Sequence, residues 1–351
     1  MERVVTSLYP NKTLPRMLDE EITDARAWKR HTVSPEDWLI PLPATCIAEL
    51  DEVVRFLRIH PQPTLHLMPT AFPLSACAAV MAQVRDTLQH RIGLAVVDRI
   101  PVERYSAAEN TAIGWLLARL LGQVVAQKWD GTVLYDVKDV GKPLGHGVRR
   151  SVTNLGQPFH TDGGWLWRPP AFVGLFCLQT ARDGGYSRFL SLCTVHNALR
   201  LRHPDLLARL YGPFWWDRQA EHDPDDMRCC RQPVFQYNGH TLLARYYEDY
   251  IVNGYKLAGT LLDPMGYEAL AAMRAIVEDT ENWLEFRLEK GQLQYINNRQ
   301  FAHARTAFLD DPSAQVQRHM LRLWNRDEGT PDLEGQGHSP VHRQSRPDIT
   351  G

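Results

Sequence analysis

The chain has 351 residues, with 39 lysines plus arginines against 41 aspartates plus glutamates and a net charge of −2. That near balance offers no electrostatic footprint for nucleic acid, and no charge-free stretch is long enough to cross a bilayer. The first ten residues lack the apolar core of a secretion signal, and the length suits one large domain or one domain with a substantial extension.

Residues 1–46 are polar and dotted with proline, after which helical patterns run over 47–60 and 75–91 and a short strand over 93–97. Ser106-Ala107-Ala108-Glu109 is a capping box opening a helix through Leu121, with Ile113, Leu116, Leu117 and Leu120 at core-facing spacing. From about 130 onwards short strand signals dominate, including the apolar run 171–178. Asn238-Gly239 and Lys290-Gly291 each separate two strand-like runs and predict hairpins, while 249–257 and 264–278 read as helices inserted between them. About eight short antiparallel strands with such turns fit a double-sheet jelly roll, whose mouth can hold a metal.

The expected fold is therefore mainly β with flanking helices. A double-stranded β-helix (jelly roll, cupin-like) core occupies 91–326, with a helical insertion at about 249–278, behind a partly helical N-terminal extension at 1–90. Residues 327–351, polar and rich in proline, glycine and charge, read as a disordered tail. The six cysteines, at 46, 77, 177, 193, 229 and 230, have neither zinc-type nor disulfide-framework spacing, which predicts reduced thiols and a cytoplasmic location.

His160 and Asp162 stand two apart in Gln157-Pro158-Phe159-His160-Thr161-Asp162-Gly163-Gly164, so in extended backbone both point to one side. His303, in Asn297-Asn298-Arg299-Gln300-Phe301-Ala302-His303, is 303 − 160 = 143 residues further on and can join them only through tertiary structure. Two histidines and one carboxylate on one face leave open positions on an iron(II) ion; a zinc site would accept the same set. A second pair of this spacing, His203-Pro204-Asp205, precedes an apolar run and reads instead as a helix start. On a strand over 316–324, Arg318, Met320, Arg322 and Trp324 share one face, and two buried arginines there need an anionic partner.

These pieces resemble the iron(II)- and 2-oxoglutarate-dependent dioxygenases of the TauD/TfdA type. The likeness rests on His160-Thr161-Asp162, Asp183-Gly184-Gly185-Tyr186-Ser187, the stretch around His303, and Arg318 to Trp324, together spanning roughly 130–326. It implies His160, Asp162 and His303 as ligands of Fe(II). It also implies Ser187 and Arg318 as partners of 2-oxoglutarate, with Arg322 assisting or holding an anionic group of the substrate. The reaction implied uses 2-oxoglutarate and dioxygen as co-substrates, releases succinate and carbon dioxide, and oxidises a carbon of a small molecule. Retention of Asp162 points to hydroxylation rather than halogenation. Trp165 and Trp167, just after the motif, and Asn297 are candidates for the substrate pocket. The N-terminal part lies outside the resemblance and is expected to cover the pocket or to form a subunit interface, as in a homodimer. The competing readings are a zinc-dependent hydrolase on a jelly-roll scaffold and a metal-free binding protein.

Overall fold

The computed structural model describes residues 16–333 except 144, 146, 312, 314 and 315. Helices and strands are numbered in chain order. Three of the helices open on a start signal in the sequence. α3 (Ala107–Leu121) opens on Ser106, whose hydroxyl accepts from the Glu109 N–H while Glu109 accepts from the Ser106 N–H. α5 (Pro204–Leu210) and α7 (Pro264–Glu278) both begin on proline, which needs no N–H partner in the first turn. The His203-Pro204-Asp205 pair is thus the helix start expected of it. α1 (Ala44–Ile59), α2 (Ser75–His90), α4 (Leu192–Arg202) and α6 (Glu248–Leu257) complete the helices.

The larger sheet has seven strands. Six follow in the order β1 (Leu39–Pro41), β2 (Leu94–Asp98), β14 (Leu293–Asn297), β6 (Phe172–Gln179), β17 (His319–Arg326) and β3 (Gln123–Val124). The seventh, β4 (Tyr135–Val137), also pairs with β17. The smaller sheet has four, in the order β13 (Trp283–Phe286), β8 (Ser187–Ser191), β15 (Phe301–Arg305) and β5 (Gln157–His160). Three ribbons pair β9 (Pro213–Asp217) with β10 (Cys229–Pro233), β11 (Phe235–Tyr237) with β12 (Leu242–Ala244), and β7 (Asp183–Gly184) with β16 (Phe308–Leu309). All pairings are antiparallel except β1 with β2.

One apolar core fills the space between the two sheets and under α4 to α7, with Val173, Ile296, Met320 and Trp324 meeting Phe189, Leu190 and Phe301. A second lies on the far side of the larger sheet, where α1, α2 and α3 cover Phe176, Leu293, Leu321 and Leu323. The fold is the mainly β, helix-flanked jelly roll expected.

Three local expectations need revision. The turn at Lys290-Gly291 does not make a hairpin: β13 pairs with β8 in the smaller sheet, whereas β14 pairs with β2 and β6 in the larger one. Gly291 has φ of +88°, and a Cβ there would lie 2.1 Å from the Ile100 carbonyl oxygen, so the turn serves a crossing between sheets. Asn238-Gly239 does close the β11–β12 hairpin. Within the N-terminal 90 residues, β1 lies parallel beside β2 and becomes an edge of the main sheet. The start of the expected tail is tied down: Ala126 donates to the Pro331 carbonyl, Arg326 to those of Thr330 and Asp332, and Leu333 is buried. Residues 334–351 lie outside the described residues. All six cysteines are free and buried, and no helix among the described residues is long and apolar enough to cross a membrane.

Candidate metal centre

Antiparallel pairing closes the gap of 143 residues. His160, the last residue of β5, stands directly opposite His303 in β15, and the two rings lie 4.2 Å apart. Asp162 sits two residues past the end of β5, in backbone held from two sides. Thr161 exchanges hydrogen bonds with Tyr246, its N–H donating to the Tyr246 carbonyl at 2.7 Å and its hydroxyl accepting from the Tyr246 N–H at 3.1 Å. The Asn298 carboxamide clamps Asp162 itself, accepting from its N–H at 2.7 Å and donating to its carbonyl at 2.9 Å. A donor atom from each of His160, Asp162 and His303 lies within 4.8 Å of the others.

The protonation states suit a divalent metal. His160 Nδ1 lies 2.9 Å from the Pro158 carbonyl, which can only accept, so Nδ1 carries the proton and Nε2 keeps its lone pair, where the Gln157 amide donates at 2.8 Å. Burial, then the neighbouring His160 and Arg322, push His303 down to about 3 despite the opposing pull of Asp162, so its imidazole is neutral near pH 7. Burial by itself would raise the Asp162 carboxyl, but Arg322 and the two histidines outweigh it and hold the group well below the usual carboxylate range. Neutral imidazoles beside an ionised carboxylate are what metal ligation requires, and the donor set fits iron(II).

The two arginines, Arg318 just before β17 and Arg322 within it, stand in different situations. Arg322 is engaged: its Nε donates to Gln127 Oε1 at 2.7 Å and its Nη1 to Asp162 Oδ2 at 3.2 Å. Arg318 is 2% exposed, and its Nη1 has no partner among the described residues. Its guanidinium lies over the Phe308 ring, 5.3 Å from the centroid, and burial pulls it down to about 10, partly offset by Cys177 and Asp310. Arg305, also buried, leaves Nε unpartnered and is pulled down to about 9 by burial and by Arg318. Arg318, Arg305, Ser187, Gln294 and His303 line one cavity between the two sheets. Gly185 makes this possible. Its φ is +70°, and a Cβ there would lie 3.2 Å from Arg318 Nε, so the Gly184-Gly185 pair lets the backbone pass beside the guanidinium.

On the other side of the histidines a second cavity is lined by Arg149, Arg150, Trp165, Tyr247 and Tyr250. Tyr247 stacks on Tyr250 at 3.9 Å, and Trp165 meets the edge of Tyr250 at 5.7 Å. Trp165 Nε1 is buried without a partner among the described residues. Two sequence candidates fall elsewhere. Trp167 is 60% exposed and does not line either cavity. Asn297 is turned away, donating to the Leu88 carbonyl and to Gln300; it occupies the end of β14, whose alternation sends it to the opposite side from Gln294. Sequence reasoning passed over Gln127, Gln157, Arg149, Arg150 and Tyr250, because what binds them into the site is contact across the fold rather than spacing.

Between two sheets of a jelly roll, this ligand set with a buried arginine cavity beside it defines a non-haem iron oxygenase site. The chain belongs to the taurine catabolism dioxygenase TauD, TfdA family, whose model matches residues 68–324. It is a non-haem iron(II)- and 2-oxoglutarate-dependent dioxygenase, an oxidoreductase. It is 28% identical over 320 residues to the FR-33289 synthase of Streptomyces rubellomurinus, covering 88% of this chain and 91% of that protein. To the taurine hydroxylase-like protein SAT17 of Stachybotrys chartarum it is 25% identical over 341 residues, covering 93% and 85%. Among solved structures, asparagine oxygenase in complex with Fe(II), 2S,3S-3-hydroxyasparagine and succinate superposes with a TM-score of 0.62 at 17% identity, over 84% of this chain and 94% of that one. The non-heme iron oxygenase OrfP with Fe and alpha-ketoglutaric acid does so with a TM-score of 0.60 at 14% identity, over 83% and 94%.

Proposed function

We propose that His160, Asp162 and His303 bind iron(II), that Arg318 and Ser187 hold 2-oxoglutarate, and that a small-molecule substrate enters from the side of Trp165, Tyr247 and Tyr250. The observation that carries this reading is the buried Arg318 Nη1 without a partner, in the cavity it shares with His303 and Ser187. A buried guanidinium needs an anion, and the distal carboxylate of 2-oxoglutarate presents two oxygens to it. A hydrolytic zinc site would leave Arg318 without a task. Arg322, engaged by Asp162 and Gln127, assists the metal ligand rather than the co-substrate.

When bound, iron(II) with 2-oxoglutarate and dioxygen supplies the oxidation, releasing succinate and carbon dioxide as a substrate carbon is hydroxylated. The protein's residues orient and shield. The Pro158 carbonyl holds the His160 ring with Nδ1 protonated, so Nε2 is the nitrogen that would take the metal, in exchange for the Gln157 amide that now donates to it. Asn298 fixes the height of Asp162 above the strand end. The Trp165, Tyr247 and Tyr250 wall excludes water from one side of the substrate, and the free Trp165 N–H meets an acceptor on it. Arg149 and Arg150 line the same cavity but are already paired with Glu221 and Asp249. The free, buried cysteines support a reducing, cytoplasmic setting.

An anaerobic titration tests the assignment: iron(II) added to the metal-free protein, then 2-oxoglutarate, followed through the weak visible charge-transfer band of the chelate. The band should form in the wild type, vanish in His160→Ala and require far more 2-oxoglutarate in Arg318→Ala. A band that forms at the same 2-oxoglutarate concentration in Arg318→Ala moves the anchor to Arg322.

A further inference from the structure

Asp162 is held far more tightly than a ligand needs if its only task is to present an oxygen. Its Oδ1 lies on the His160 side, 3.4 Å from Nε2. Its Oδ2 accepts two hydrogen bonds, from Trp324 Nε1 at 2.9 Å and from Arg322 Nη1 at 3.2 Å. Arg322 is in turn aligned by Gln127, which accepts from Nε at 2.7 Å while its own Nε2 donates at 2.8 Å to the carbonyls of Arg322 and Val133. Gln127 and Trp324 are 0% and 1% exposed, so their ends of these bonds are shielded from water.

Resting on the metal-centre reading above, we infer that Trp324 and Gln127 are positioning residues that hold Asp162 as a one-oxygen ligand, keeping Oδ2 away from the metal. A carboxylate free to rotate can give a metal one oxygen or two. Here a second oxygen could reach the metal only by giving up both donors, which leaves an indole N–H without an acceptor and a guanidinium without its carboxylate. One oxygen from Asp162 and one nitrogen from each histidine would leave further positions of a bound iron(II) for the two co-substrates. Arg322 thus acts through Asp162, and the alternation of β17 explains why Trp324, two residues on, reaches the same oxygen.

The test uses cobalt(II) alone as the probe, titrated into the metal-free full-length protein and followed by its visible absorption, with thermal unfolding of the metal-free protein measured alongside. Trp324→Phe keeps the ring and removes the N–H; Gln127→Met keeps the volume and removes the alignment of Arg322. The expected result is cobalt affinity lower by about tenfold in Trp324→Phe, the low end of what loss of an outer partner of a metal ligand does, and lower by less in Gln127→Met, with unfolding temperatures retained. A merely structural role would lower the unfolding temperature and leave cobalt affinity alone. Wild-type affinity in both variants overturns the inference. If Trp324→Phe fails to fold, Gln127→Met decides alone, and unchanged cobalt affinity in it overturns the inference. No cobalt binding by the wild type overturns the metal-centre reading itself, which distinguishes the two failures.

Discussion

The two faces of β17 are equally buried and do opposite things. Leu321 and Leu323 point into the layer of α1, α2 and α3, where Phe176, Leu293 and Ile113 meet them and contact area is all that matters. Arg322 and Trp324, the alternate residues, point between the sheets, as does Arg318 just before the strand, and there every polar atom needs a partner. The apolar face gains stability from any well-shaped hydrocarbon. The polar face is close to neutral for stability when its charges are paired and costly when they are not. Folding and chemistry are thus assigned to opposite sides of one strand, and substitutions should separate them.

The largest separation is expected at Arg318. Arg318→Met removes a buried guanidinium whose Nη1 has no partner and inserts an apolar chain of similar length. Its 2-oxoglutarate dissociation constant should rise by about two to four orders of magnitude, from the roughly 3 to 5 kcal/mol that breaking a buried charge pair costs. The unfolding temperature of the ligand-free protein should hold or rise. The visible chelate band and a thermal melt measure the two quantities, and a large drop in both would break the comparison.

Leu323→Ala is the mirror experiment. Leu323 is fully buried in the helix-covered core, so its truncation should destabilise the protein by about 2 to 5 kcal/mol in urea unfolding. At temperatures where the variant is folded, 2-oxoglutarate affinity should stay within about twofold of wild type, as for separated sites. A tenfold loss of affinity would mean that the two faces are mechanically coupled through the strand.

Much of this division is visible in the amino-acid order, because period-two alternation in 316–324 already sorts arginines from leucines. The cluster of His160, Asp162 and His303 was legible too: a rare trio of residue types lies in order, and the competing His203-Pro204-Asp205 carries its own helix signal. What local order does not encode is which strand lies next to which. Lys290-Gly291 has the chemistry of a hairpin turn, yet β13 and β14 find partners in different sheets. Trp167 and Trp165 look alike in sequence, two residues apart, but one is 60% exposed and the other 4%. Gln127 joins the site from 195 residues before Arg322, and nothing in its neighbours marks it. The division between the arginines is likewise tertiary: Arg322 meets Gln127 and Asp162 across the fold, while Arg318 Nη1 meets no partner among the described residues.

His196 tests whether a buried polar group imposes the same demand away from the metal. It is fully buried on α4, its Nε2 2.9 Å from the Tyr211 hydroxyl and its Nδ1 without a partner among the described residues. Burial, and to a lesser degree Arg200, push it down from its ordinary 6.5 to about 4. The fold accommodates the neutral ring, so below pH 6.5 the unfolded chain binds the proton more readily than the folded one. Its contribution to stability is complete above 6.5 and is lost as pH falls to about 4, a loss on the order of 3 kcal/mol. Urea unfolding at both ends of that window should show a smaller difference in His196→Gln than in the wild type. Equal differences would remove His196 from the account.

The smallest effect is expected at Gly185, where the two roles of the fold meet. Its φ of +70° is open to glycine and strained for alanine, and the added Cβ would press on Arg318 at 3.2 Å from Nε. Gly185→Ala should therefore lower stability by about 1 kcal/mol and weaken 2-oxoglutarate binding by roughly tenfold through the displaced guanidinium, a shift of about 1.4 kcal/mol. The combination with Arg318→Met separates the causes. If the glycine acts on binding only by making room for Arg318, adding Gly185→Ala to Arg318→Met should weaken 2-oxoglutarate no further, while the backbone strain persists in the melt. A second tenfold loss in the double variant would show that the Gly184-Gly185 turn touches the co-substrate directly.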